Sequence, residues 1–256
     1  VNDLFGEEAS ARRQRHDARF INICMMATLS GAAVSDGLAD GRVVSGVGGQ
    51  YNFVAMAHEL EGARSILLLR ATREGPAGAQ SNIVFNYGHV TIPRHLRDVV
   101  VTEYGVADLR GRTDAEVAAA MISIADARFQ PTLARLAMDA GKLPRNWTIP
   151  EAALRNTPAS LASRLRPLAT NGALPVFPLG TDFDAVEQRL LPALAYLKGS
   201  TATWRARLAL GAAMVSTHVS PEDAPLYERL GLGSPGNWRE AVMRRIVAVG
   251  LARSRA

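Results

Sequence analysis

The chain has 256 residues, 48% of them hydrophobic, and a formal charge of +5 at neutral pH. That length and apolar content exclude a disordered tail and leave room for one large core or two modest ones. Nearly all the positive charge is arginine, with lysine only at Lys142 and Lys198. The arginines are scattered among acidic residues with no aromatic-interleaved basic run, which argues against nucleic acid as a partner.

The leader, Val1 to His16, lacks the apolar centre of a signal peptide. No apolar run approaches the roughly 18 residues of a membrane span, so a cytoplasmic protein without membrane contact is expected. The lone cysteine, Cys24, has no disulfide partner and sits among apolar residues, as an inert buried thiol would.

From Arg19 onward, short β-rich runs alternate with helical stretches. Strands are predicted over Arg19 to Met26, Arg42 to Gly46, Ser65 to Ala71, Asn82 to Tyr87 and Asp98 to Tyr104. Several of these runs are continuously apolar, the pattern of strands buried on both faces in a parallel or mixed sheet. Between the second and third, Phe53, Met56, Ala57 and Leu60 fall on one helical face, with Gly62 as the stop. Thr113 and Glu116 have capping-box spacing, and Pro131 opens a further helix. Beyond Pro150 the periodic segments are all helical, including Thr181 to Gly199 and a start at Ser220–Pro221. The expected organisation is an α/β domain over 1–150 and a helical extension over 151–256.

The segment VVSGVGGQYNF, Val43 to Phe53, joins a strand run to a helix through three glycines. Glycines there let a backbone approach a ligand without a Cβ, and the helix N-terminus supplies free N–H groups with partial positive charge. Such a turn suits an anion or a developing oxyanion. A dinucleotide loop needs G-x-G-x-x-G; Gly46 and Gly48 meet the first two positions, but Tyr51 stands in the third. A nucleotide P-loop fails for lack of Lys followed by Ser or Thr. A tight turn that binds nothing stays open on the loop alone.

Three strings in order, SGVGGQYNF, SNIVFNYGHVTIPR and VVVTEYGVADLRG, resemble the C-terminal domain of the acetyl-CoA hydrolase/transferase family, the acyl-CoA:carboxylate CoA-transferases. The resemblance is strongest from Arg19 to Pro150 and implies a CoA-transferase-like α/β fold. It also implies coenzyme A as a substrate, no metal, and acyl-CoA with a small carboxylate as ligands of a homodimeric enzyme. In that family a glutamate attacks the acyl-CoA carbonyl and passes through an anhydride to a glutamyl-CoA thioester, while glycine-loop amides hold the oxyanion. Gly48 and Gly49 are then the oxyanion donors, and Gly46, Val47, Gln50 and Asn52 line the CoA or acyl side. Many members carry Asp where this chain has Asn52.

The family's glutamate lies farther ahead of the glycine loop than this chain extends, which points to a missing N-terminal half or a partner subunit that supplies it. The acidic residues before the loop, Glu7, Glu8, Asp17, Asp36 and Asp40, read as solvated charges. Glu103, closing an apolar run at a glycine, is the substitute nucleophile, against a structural role accepting backbone N–H groups. His89 and His95 show no metal-ligand spacing and read as loop or core histidines. Arg94 is a candidate for a CoA phosphate or a substrate carboxylate, with Asp98 four residues on as an alternative partner. Two rivals remain: a CoA-binding or regulatory module that kept the fold without catalysis, and a nicotinamide oxidoreductase.

Overall fold

The computed structural model describes residues 9–75, 78–201 and 203–254. In chain order the elements are α1 (Ala9–Gln14), β1 (Arg19–Ile23), β2 (Met26–Thr28), β3 (Ala33–Val34), α2 (Gln50–Glu59), β4 (Arg64–Leu68), β5 (Thr72–Gly75), β6 (Gly78–Ser81) and β7 (Ile83–Val84). Next come β8 (Val99–Thr102), β9 (Gly105–Asp108), α3 (Asp114–Ser123), α4 (Gln130–Asp139), α5 (Pro158–Thr170), α6 (Ala185–Ser200), α7 (Trp204–Ser216), α8 (Ala224–Arg229) and α9 (Trp238–Ser254).

The main sheet has the order β1-β4-β8-β9, with β1, β4 and β8 parallel and β9 turned back antiparallel on β8. A smaller sheet, β3-β2-β7, and the β5–β6 hairpin complete the β-structure. The mixed sheet and the helical C-terminal part follow the sequence expectation, with local differences. The run from Arg19 to Met26 divides between two sheets, β1 pairing β4 and β2 pairing β3 and β7. The run Arg42 to Gly46 forms no strand: Val43 makes a single bridge to Gly37, and both Val43 and Val44 are exposed. An apolar β-branched pair becomes a strand only when a partner strand runs beside it.

The core explains the placement of α2. Val54 on its inner face joins the main cluster with Leu67, Val100, Leu109 and Met121. Met56 and Leu60 pack with Ala63, Phe20 and Phe53, whose two rings stack at 5.8 Å. The α3 N-terminus carries the expected capping box, Thr113 receiving the Glu116 N–H while the Glu116 carboxylate receives the Thr113 N–H.

The chain divides into two compact units, residues 1–173 and 174–256. The turn at 151–156 is tied to the first by side chains: Gln130 donates to the Ala153 carbonyl at 3.0 Å, and Asn156 donates to the carbonyls of Ser123 and Ala125. In the second unit, Leu190, Ala193 and Leu197 of α6 face Val247, Ala248 and Leu251 of α9 in one apolar cluster. Asp184 caps α6 in a second capping box, with Glu187.

Candidate functional site

The glycine loop stands on a half-buried polar support. The Asp36 carbonyl receives the N–H groups of Val44 at 2.8 Å and Ser45 at 3.2 Å. The Asp36 carboxylate receives the Thr91 hydroxyl and stands 3.0 Å from His89 Nε2. Those bonds, that of Thr91 first, hold its pKa below the ordinary carboxylate value. The His89 ring in turn lies against Gly37, where an added Cβ would come within 2.8 Å of ring atoms. Asp36 is therefore not the solvated charge that its polar turn suggests: its side chain is only 14% exposed and is held by the Thr91 hydroxyl and the His89 ring. Asp40 does fit that expectation, exposed and paired with Arg42. Asp17 sits at φ +55° beside His16. Glu7 and Glu8 lie outside the described residues.

Gly48 has φ +58°, the left-handed region that favours glycine, and an added Cβ there would meet nothing within 4 Å. The backbone conformation, rather than space inside this chain, therefore calls for glycine. Gly49 is the N-cap residue of α2 and offers no side-chain cap, so the first turn of the helix keeps its partial positive charge toward the loop. At Gly46 neither a positive φ nor a neighbouring atom requires glycine. Val47 is exposed. Gln50 is buried, and its side-chain amide donates to the Ile23 carbonyl at 3.2 Å, tying the start of α2 to the end of β1. Asn52 is half-buried one residue past the exposed Tyr51.

Glu103 follows β8 at the same end of the sheet. It borders a cavity of about 460 Å³ with Ile23, Leu68, Leu69, Arg70 and Thr102. One of its carboxylate oxygens receives the Ala71 N–H at 2.8 Å. Two strand spacings, roughly 10 Å, separate β1 from β8 across that cavity. Its neighbour Tyr104 donates to Asp126 at 3.0 Å, and burial foremost pushes the phenol up. Burial likewise pushes the Cys24 thiol up to about 12, so the thiolate is not formed at neutral pH.

Arg94 lies elsewhere. It pairs with Asp114 at 2.9 Å and not with Asp98. Asp98 is buried at the start of β8, where it binds Arg64 at 2.7 Å, Arg110 at 2.5 Å and the Ser65 N–H at 2.7 Å. Those partners saturate it, and the short turn Arg94–Leu96 carries Arg94 toward α3 instead. Among the described residues no cluster of three metal-ligating side chains occurs.

The model of the acetyl-CoA hydrolase/transferase C-terminal domain matches residues 4–137. The chain belongs to that family. It is 35% identical over 114 residues to a 4-hydroxybutyrate coenzyme A transferase of Clostridium kluyveri, covering 44% of this chain and 26% of the relative. It is also 35% identical over 118 residues to a probable butyrate:acetyl-CoA coenzyme A-transferase of Syntrophomonas wolfei, covering 45% of this chain and 26% of that protein. The chain thus matches about a quarter of the length of these curated relatives. Among solved structures it resembles RipA from Yersinia pestis, at 31% identity and a TM-score of 0.44, over 48% of this chain and 28% of that one. A 4-hydroxybutyrate CoA-transferase from Porphyromonas gingivalis resembles it at 31% identity and a TM-score of 0.37, covering 48% of this chain and 26% of that one.

The loop support, Asp36, His89 and Thr91, escapes sequence inspection because more than fifty residues separate Asp36 from the other two and no spacing rule links them. The arginine grouping around Asp114 was equally hidden.

Proposed function

We propose that this chain is the C-terminal portion of an acyl-CoA:carboxylate CoA-transferase, a homodimeric cytoplasmic enzyme whose α/β part is residues 1–150 and whose helical extension is 151–256. The nucleophilic glutamate comes from polypeptide ahead of this stretch or from a partner subunit. Its carboxylate attacks the acyl-CoA carbonyl, and collapse of the tetrahedral oxyanion expels the CoA thiolate and leaves an acyl-glutamyl anhydride. The thiolate then attacks the glutamyl carbonyl, releasing the acyl group as a carboxylate and forming glutamyl-CoA, which an incoming carboxylate reverses.

The observation that carries this reading is the uncapped first turn of α2, with Gly48 at positive φ ahead of it and the loop held on Asp36. Backbone N–H groups fixed in advance stabilise an oxyanion without reorganisation, and one such donor is worth roughly 3 to 4 kcal/mol in the transition state. Gly46, Val47, Gln50 and Asn52 line the path of the acyl or CoA chain. Glu103 acts on structure through the Ala71 N–H, which favours the supplied glutamate over a local one. The relatives are CoA-transferases, which supports transfer to a carboxylate rather than hydrolysis.

The test is thioester exchange between acetyl-CoA and butyrate, followed spectroscopically for this chain alone and combined with the N-terminal portion of a relative. Turnover only in the combination is expected. Full turnover by the chain alone would overturn the supplied glutamate and promote Glu103. No turnover in a folded combination would favour a module that binds CoA without reacting it.

A further inference from the structure

A second cavity, of about 480 Å³, lies at the other end of the main sheet and is lined by the guanidinium groups of Arg94, Arg97, Arg110 and Arg112 with the single carboxylate of Asp114. Its arginines precede β8 or follow β9, and His58, near the C-terminal end of α2, borders it. A helix of ten residues spans about 15 Å, which sets this cavity one helix length from Gly48. We propose that it is a phosphoryl-binding site, and this does not rest on the acyl-transfer reading.

Among the described residues the charges at this cavity do not balance. Asp114 is shared by Arg97 at 3.0 Å, Arg94 at 2.9 Å and Lys142 at 3.3 Å, so one carboxylate serves three cations. These cations hold its pKa below the ordinary value, the Arg97 hydrogen bond foremost. Arg112 reaches Glu116 only at 3.6 Å, between two half-exposed side chains. Like charges gathered this closely repel one another until an anion enters.

The four arginines divide into two kinds. Arg97 donates to the carbonyls of Ser30 and Arg112, and Arg110 to those of Ala57 and Ala63, so their positions are fixed before any ligand arrives. Arg110 also belongs to the Asp98 network, which accounts for it structurally. No such network accounts for Arg94 and Arg112, each more than half exposed with one ion pair. These two can close on a ligand against a fixed positive wall. A tetrahedral dianion with several acceptor oxygens suits converging guanidinium forks better than a monocarboxylate does. Inorganic phosphate and the phosphates of coenzyme A both present that chemistry.

The test is calorimetric titration of inorganic phosphate into the full chain at constant ionic strength, balanced with chloride. Wild type is compared with Arg94→Lys, Arg112→Ala and the Arg94→Ala/Arg112→Ala double variant, with thermal melts as folding controls. One saturable site is expected, weakened at least tenfold in the double variant and less in Arg94→Lys, which keeps charge without the fork. Displacement of phosphate by CoA but not by pantetheine would support the site with CoA as the source of the phosphoryl group. Phosphate binding that CoA leaves alone would support it with free phosphate as the ligand. Absence of saturable phosphate binding to wild type, or an affinity unchanged within twofold in the folded double variant, overturns the proposal.

Discussion

The two ends of the parallel strands carry opposite polar arrangements. Where β4 and β8 begin, Asp98 is buried and fully engaged by Arg64, Arg110 and a backbone N–H, and Arg64 also reaches Asp108 at 2.5 Å. Where β1, β4 and β8 end, the cavity lining is mostly apolar: Ile23 is 77% exposed, the N-cap residue of α2, Gly49, supplies no side-chain cap, and Arg70 and Glu103 border the cavity. A saturated network resists change and holds the sheet in register. A helix that starts without a side-chain cap can bind something the chain does not contain. The difference separates the Asp98 network, which builds the fold, from the glycine loop, which is available for acyl chemistry, and each can be tested by substitution.

The largest effect is expected at the saturated end. Asp98→Ala leaves Arg110 without a carboxylate partner, Arg64 with Asp108 alone and the buried Ser65 N–H without its acceptor, and breaking a buried pair costs about 3–5 kcal/mol, an upper bound here because both arginines are partly exposed. Urea unfolding should show the midpoint fall by up to that amount, and Asp98→Asn, which still accepts the Ser65 N–H, should lose less. A midpoint within about 1 kcal/mol of wild type would mean that the network does not organise the sheet.

At the open end the effect should appear in rate rather than stability. In the combined enzyme, Gly48→Val should lower the rate constant by roughly two to three orders of magnitude, because a β-branched residue cannot hold φ +58° and the amides turn away from the oxyanion. Gly48→Asn, which tolerates the left-handed region, should retain most of the rate. Equal rates in wild type and Gly48→Val would reduce the loop to a turn.

Much of this organisation was legible in the sequence, and the boundary of legibility is physical. Local rules worked where the determinant is local: the apolar face of α2, the Thr113–Glu116 capping box and the Ser220 cap all formed as read. The β-runs at Ser65 and Asp98 became parallel strands, but the two-faced burial that their continuous apolar runs predicted did not form: Ser65, Leu67, Val100 and Thr102 are buried, while Ile66, Leu68, Val99 and Val101 on the other face are half-buried. Val43 and Val44 failed because strand formation depends on a partner that no local window reveals. The β5–β6 hairpin was missed for the converse reason, since TREG and GAQS are polar and carry no alternation. Asp98 was an alternative partner for Arg94 by an i,i+4 helix rule, but the chain there makes one short 3-10 turn and extends into β8. The glycine loop was visible as a motif, while the Asp36 support that holds it was not.

That support has a pH signature. The Asp36 pKa is lowered in the folded state by the Thr91 hydroxyl first and His89 second. Its contribution is fully present above the ordinary carboxylate value near 4 and is lost as pH falls through the lowered folded value. Urea midpoints of wild type should therefore decline more steeply below about pH 4 than those of Asp36→Asn, which has no charge to lose. Parallel declines would show that the carboxylate charge contributes nothing to the loop.

The smallest effect is expected at Gly46, and it sharpens the contrast most. The residue has no positive φ, and an added Cβ would meet nothing within 4 Å. Among the described residues nothing resists alanine there, and the loss of freedom in the unfolded chain should stabilise Gly46→Ala by about 0.4–1 kcal/mol. If the loop faces a ligand or the supplied half of the enzyme, the same methyl group protrudes into that approach, and thioester exchange in the combined enzyme should slow while stability does not fall. The two measurements run in opposite directions only if the free space beside Gly46 is filled in the working enzyme. A variant that is more stable and equally active would leave Gly48 and Gly49 as the part of the loop that meets the oxyanion, with Gly46 a spacer on the solvent side.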